Sequence, residues 1–143
     1  MNRFWKISPW LIRIFLTPPV LIFAMIASRY LFHPVQAATA VGISFVTPLG
    51  TTIARVGFGA FPLACSLFTL SCLLSSRHLL TGLGFVATVM SAALVVRVFG
   101  MLADGTTKEN MPLVIAELVF LVLMLVGIFI ERGRRQQIPE AAA

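Results

Sequence analysis

The chain has 143 residues, 59% of them apolar and only 11% charged, with 11 basic against 5 acidic residues and a net charge of +6. Soluble domains carry roughly 45–50% apolar and about 25% charged residues, which excludes a water-soluble fold and a second sizeable soluble domain. Four membrane spans of about 20 residues would use a little over half the chain, so the expected class is all-α, a polytopic membrane four-helix bundle.

Residues 1–11, MNRFWKISPWL, combine Arg3 and Lys6 with Phe4, Trp5, Ile7 and Trp10, a composition suited to the headgroup region. The first span is expected over about 12–32. Arg13 and Arg29 mark its ends, about 24 Å apart along a helix, and both can snorkel to opposite interfaces. Pro18 and Pro19 are expected to kink it. A cleaved signal segment is the competing reading, with Ala38-Thr39-Ala40 as a small-x-small site. The length of the apolar stretch, its two prolines, and the Arg29, Tyr30 and His33 that follow favour a retained helix.

Residues 33–52 read as a mildly apolar loop broken by Pro34, Gly42, Pro48 and Gly50, with a short interfacial helix near 37–46 as the alternative. The second span is expected over about 53–74, ended by Ser75, Ser76, Arg77 and His78. The third follows over about 79–100, then a polar loop from Ala103 to Asn110. The fourth occupies about 112–130, opening on Pro112 as a first-turn proline. These four spans make one transmembrane domain, 12–130, followed by a basic tail, 131–143, that is expected to fray.

The charges predict an orientation. Arg3, Lys6, Arg13, Arg77, Arg132, Arg134 and Arg135 fall on one side, and Lys108, Arg29, Arg55 and Arg97 on the other. The positive-inside rule then places both termini in the cytoplasm. The basic residues belong to span ends, so no nucleic acid partner is expected.

Three ionisable residues fall inside the spans: Arg55 opening the second, Arg97 closing the third and Glu117 in the first turns of the fourth. They lie about 3, 4 and 7 Å inside the expected boundaries, all toward the non-cytoplasmic leaflet. Asp104 can join them from above. Charges that face lipid are costly, so a bundle-facing cluster is a candidate polar site. It reads as a pocket for an anion or polar headgroup with Glu117 holding the arginines. The competing reading is a structural staple, or arginines that simply snorkel. Arg55, Gly59, Pro62, Ser66 and Thr69 share one face of the second span, and Gly84, Thr88 and Ser91 one face of the third. Small and hydroxyl residues there predict close helix contact, and Pro62 a bend.

No spacing matches a metal site and no cofactor is expected. His33 and His78 fall on opposite sides of the membrane, against a shared haem iron. Cys65 and Cys72, about 10 Å apart along the helix, are too far apart for a disulfide and read as packed thiols. No nucleophile has an evident base partner.

From Arg55 onward the sequence resembles the DUF4345 family, small bacterial integral membrane proteins of unknown function. The resemblance rests on Arg55-Val56-Gly57-Phe58-Gly59, Arg97, Asp104-Gly105, Glu117-Leu118 and Gly127, within residues 12–130. Val56 and Phe58 depart from the small or aromatic residue the family favours before its paired glycines. The resemblance implies four spans, groups Arg55, Arg97, Asp104 and Glu117 together, and brings no activity.

The expected role is that of a non-enzymatic accessory or small-molecule- or lipid-binding protein of the bacterial inner membrane. Its partners would be membrane lipids, a membrane protein or further copies of the chain, and an amphiphilic or anionic small molecule. Two alternatives stay open. A small transporter would need an oligomer at this length, and the first span lacks the glutamate that small multidrug exporters place there. A membrane enzyme acting on lipid or quinone would have to work through Arg55, Arg97 and Glu117.

Overall fold

A computed structural model describes the backbone of residues 3–140 and the side chains of residues 7–137. The side chains of Arg3, Phe4, Trp5 and Lys6, central to the expected interfacial segment, lie outside the described residues. The fold is all-α, with no strand among the described residues. The elements are α1 (Arg3–Phe32), α2 (Pro34–Thr39), α3 (Pro48–Ala54), a π-helical turn (Arg55–Ala60), α4 (Phe61–Leu74), α5 (Leu79–Asp104) and α6 (Thr107–Glu140).

Four stretches are long and apolar enough to cross a membrane: Ile7–Phe32, Pro48–Leu74, Leu79–Asp104 and Thr107–Gln137. In none of them is more than 28% of the most apolar window buried by protein. Large apolar side chains such as Leu21, Phe61, Leu102 and Phe129 point outward. An apolar surface of that extent is stable in lipid and not in water. The chain is therefore built as a multi-pass membrane protein.

Helices outrun the expected spans at several ends. The fourth continues as helix through the basic tail to Glu140, because that tail carries its own ion pairs, described below. α1 persists through Pro18 and Pro19, forgoing only the N–H bonds to the carbonyls of Ile14 and Phe15.

The chain divides into two compact units, residues 17–71 and residues 1–16 with 72–143. In the first, α1 runs antiparallel to the rod from Pro48 onward. The Ser66 hydroxyl donates to the Val20 carbonyl at 3.0 Å, and two to three turns away Tyr30 meets Phe58 with ring centroids 5.1 Å apart. A Cβ on Gly59 would come within 3.0 Å of the Leu31 side chain, so glycine sets this close approach. The π-helical turn precedes Pro62, whose ring and missing N–H cannot serve the Phe58 carbonyl. The Phe61 N–H bonds Val56 five residues back, which absorbs the mismatch.

The expected loop in this unit is partly helical. α2 ends in a Schellman motif: Gly42 has φ +78°, its N–H reaches the Thr39 carbonyl at 3.0 Å, and the Ile43 N–H reaches Ala38 at 2.9 Å. Thr47 then caps α3 by accepting from the Gly50 N–H, with Pro48 at the first helical position. The same breakers that suggest a loop are thus a helix stop and a helix start.

In the second unit, segments of all four apolar stretches meet. Ile12 and Leu16 of α1, Leu79, Leu83, Val86 and Ala87 of α5, and Met124 of α6 form its buried core, with Leu73 of α4 packed against them. Gly105, at φ +69°, ends α5, and α6 follows after one further residue. The two helices run antiparallel, with Arg77 by Arg135, Leu83 by Gly127 and Arg97 by Glu117 at successive levels. The stripe Gly84, Thr88 and Ser91 does not serve as the expected packing face: space around Gly84 is open and Thr88 is exposed. The rotation of α5 that buries Leu79, Leu83 and Val86 turns Gly82 inward instead.

Candidate functional site

The polar group at the α5–α6 end is built on Arg97. It stands about two helical turns before the end of α5, facing α6. Its Nε donates to both Glu117 carboxylate oxygens, at 2.9 and 3.0 Å, and its Nη2 donates to Oε1 at 2.6 Å. Nη1 donates to the Asn110 Oδ1 at 3.0 Å. Asn110 in turn donates through Nδ2 to the Thr106 carbonyl and hydroxyl, at 3.1 and 3.0 Å. The chain Glu117–Arg97–Asn110–Thr106 therefore ties the last turns of α5 to the first turns of α6.

Its geometry decides what it can do. A two-point guanidinium–carboxylate pair is strong and directional, and here both side chains are mostly shielded, 28% exposed for Arg97 and 15% for Glu117. Both carboxylate oxygens are engaged. Arg97 has five N–H donors, of which one on each Nη is left after these bonds. The arrangement is a neutral clamp with two donors left over.

Of the four residues singled out from the sequence, the structure brings together Arg97 and Glu117. Asp104 ends α5, is exposed and makes no ion pair among the described residues. Arg55 belongs to the unit 17–71, where its Nε donates to the Leu31 carbonyl at 3.3 Å. Sequence reasoning misses Asn110 by assigning it to a loop, although Asn110 and Glu117 stand seven residues apart and so share a helix face.

A second polar cluster, also missed, closes the other end of α6. The Glu131 side chain is fully buried and accepts from Arg134 Nε at 2.7 Å and Nη2 at 2.5 Å, and from Arg135 Nε at 2.9 Å. Arg135 also donates to the Arg77 carbonyl at 2.7 Å. The readable signal is an acid followed by bases three and four residues on. Nearby, Arg13 donates to the Leu73 carbonyl and the Ser76 hydroxyl, at 3.2 and 2.8 Å, and lies over the Trp10 ring.

Among the described residues, no three His, Cys, Asp or Glu side chains converge as a metal site would require. Cys72 is buried and Cys65 half-buried, both as free thiols. No family model, no curated protein and no solved structure matches this chain.

Proposed function

We propose that this is a multi-pass protein of the bacterial inner membrane, both termini cytoplasmic, that acts as an accessory or lipid-binding subunit through the Arg97 cluster near the outer leaflet. The observation that carries the reading is the clamp itself. Glu117 spends both oxygens on Arg97, which favours a positioning role over proton transfer. Arg97 keeps one donor on each Nη, suited to a headgroup oxygen or the anionic end of an amphiphile. The resemblance of residues 12–130 to DUF4345 proteins fits this reading without adding an activity.

The test compares the full chain with Arg97→Gln after purification in mild detergent, with retained lipid and small amphiphiles identified by native mass spectrometry. Binding predicts a retained species on the wild type that Arg97→Gln loses several-fold. Equal retention by both proteins would assign the cluster to stapling alone. Labelling of Lys108→Cys by an impermeant maleimide on intact cells checks the orientation.

A further inference from the structure

The unit 17–71 contains Arg29 and Arg55 and not one aspartate or glutamate, so neither arginine has a carboxylate within its own unit. Arg29 lies on the last turn of α1, beside an open pocket of about 410 Å³ lined by the exposed Arg29, His33, Gln36 and Ala40 and the half-buried Ala37. That volume is in the range of roughly 300–1,000 Å³ typical of small-molecule clefts.

The backbone explains why these five residues share one wall. The helix breaks at His33, which has φ −132° and ψ 55°: its N–H to the Arg29 carbonyl at 2.8 Å is the last bond of α1, and Ala37 to His33 at 2.9 Å is the first of α2, which Pro34 opens. Arg29 comes from the last turn of α1 and His33 from the break, while Gln36, Ala37 and Ala40, at 3, 4 and 7 residues beyond His33, share one face of α2, so the five line one bend. Three donor side chains stand along it, and the two alanines leave the space between them open. Among the described residues, no side-chain hydrogen bond or ion pair engages Arg29, His33 or Gln36. The groove lies where an apolar stretch ends, at Phe32, and a span of that length leaves its ends to the headgroup region.

We propose that Arg29, His33 and Gln36 form a phosphate-binding groove, which takes the phosphate of a lipid headgroup or a free phosphate anion. The Arg29 guanidinium offers the two-point geometry that a phosphate accepts, the His33 ring and the Gln36 amide add donors, and no acid in the unit competes. This site is independent of the Arg97 clamp and stands or falls without it.

Any arginine at a membrane boundary attracts phosphates, so the test must separate a built groove from a lone charge. Arg55 supplies the comparison. The full chain, Arg29→Gln, Arg55→Gln and Ala40→Leu are purified in detergent and mixed with equal amounts of phosphatidylglycerol and a galactosyl diacylglycerol, which has the same acyl chains and no phosphate. Bound lipid is counted by native mass spectrometry, with and without millimolar inorganic phosphate. Ala40→Leu fills the groove from an exposed position and keeps every charge, so it remains informative should Arg29→Gln disturb folding.

The wild type is expected to prefer phosphatidylglycerol about tenfold, the size of one charge-assisted hydrogen bond. Arg29→Gln and Ala40→Leu should bring that preference near parity, and Arg55→Gln should leave most of it. If the ligand is the free anion, inorganic phosphate binds the wild type, displaces the lipid, and fails to bind Arg29→Gln. If it is the headgroup, the lipid preference survives added phosphate. Equal losses in Arg29→Gln and Arg55→Gln, or an unchanged preference in Ala40→Leu, would overturn the groove. So would a wild type that neither prefers the anionic lipid nor binds phosphate.

Discussion

Gly82 offers the sharpest test of the packing. A Cβ placed on Gly82 lies 2.8 Å from the Cys72 Cβ, 3.3 Å from the Leu16 Cδ1 and 3.7 Å from the Cys72 Sγ. Carbon atoms settle at about 3.5–4.0 Å, so Gly82→Ala asks for roughly 0.7 Å of separation from an atom fixed to the α4 backbone. No rotamer of Cys72 relieves a clash with its own Cβ. Overpacking of this kind costs about 1–3 kcal/mol, against a helix-propensity gain of at most about 1 kcal/mol for replacing glycine with alanine. The expected net loss is about 1–2 kcal/mol. Gly84 is the built-in control, two residues along the same helix, where an added Cβ would meet nothing within 4 Å, so Gly84→Ala should be neutral or slightly stabilising. Unfolding by dodecyl sulfate in mixed micelles, followed by helical circular dichroism, measures both. Maleimide labelling of Cys72, buried in the wild type, should accelerate in Gly82→Ala as α5 is pushed away. Cys72→Gly combined with Gly82→Ala should recover part of the loss, because the offending atom is gone. Equal stability of Gly82→Ala and Gly84→Ala, with unchanged labelling, would refute the packing argument.

Glu117→Leu leaves Arg97 without its carboxylate in an apolar setting and should lower stability by a few kcal/mol, toward the roughly 3–5 expected for breaking a buried pair. Arg97→Leu combined with Glu117→Leu should recover much of that loss in the same micelle titration; if the double variant is as unstable as their summed effects, the pair is not coupled. Glu131→Ala removes the acceptor of both Arg134 and Arg135, and trypsin should then cut after these residues several-fold faster without a comparable change in global unfolding. An unchanged cleavage rate would place the order of the α6 end elsewhere. Ser66→Ala removes the bond to the Val20 carbonyl and should cost about 0.5–1.5 kcal/mol, read as a lower unfolding midpoint.

The four apolar stretches were legible because span length and hydropathy are local properties. A run of about 20 apolar residues with no water-satisfied alternative must form a helix in lipid, whatever its neighbours are. Arg97 and Glu117 were legible for a related reason: a charge inside such a run is costly, and opposite charges at the same depth on successive antiparallel helices have each other within reach. Arg55 passed the same test of depth and lies in the unit 17–71, where its Nε donates to the Leu31 carbonyl, a contact that depth alone does not specify. Asp104 shows the same limit at the end of α5, where it is exposed.

What folding decided was rotation and register. Gly82 and Gly84 are indistinguishable in sequence, two glycines in one apolar helix, and only the burial of Leu79, Leu83 and Val86 selects Gly82 as the contact. Asn110 and Glu131 became network members through helix extensions that composition assigned to a loop and a tail, where hydrogen bonds to arginine replace the missing hydropathy. The amino-acid sequence by itself determined that four helices form and which charges must be neutralised, because those are costs borne residue by residue. Which side chain meets which was settled only in tertiary structure, since a rotation of α5 by a fraction of a turn changes every contact and leaves hydropathy the same.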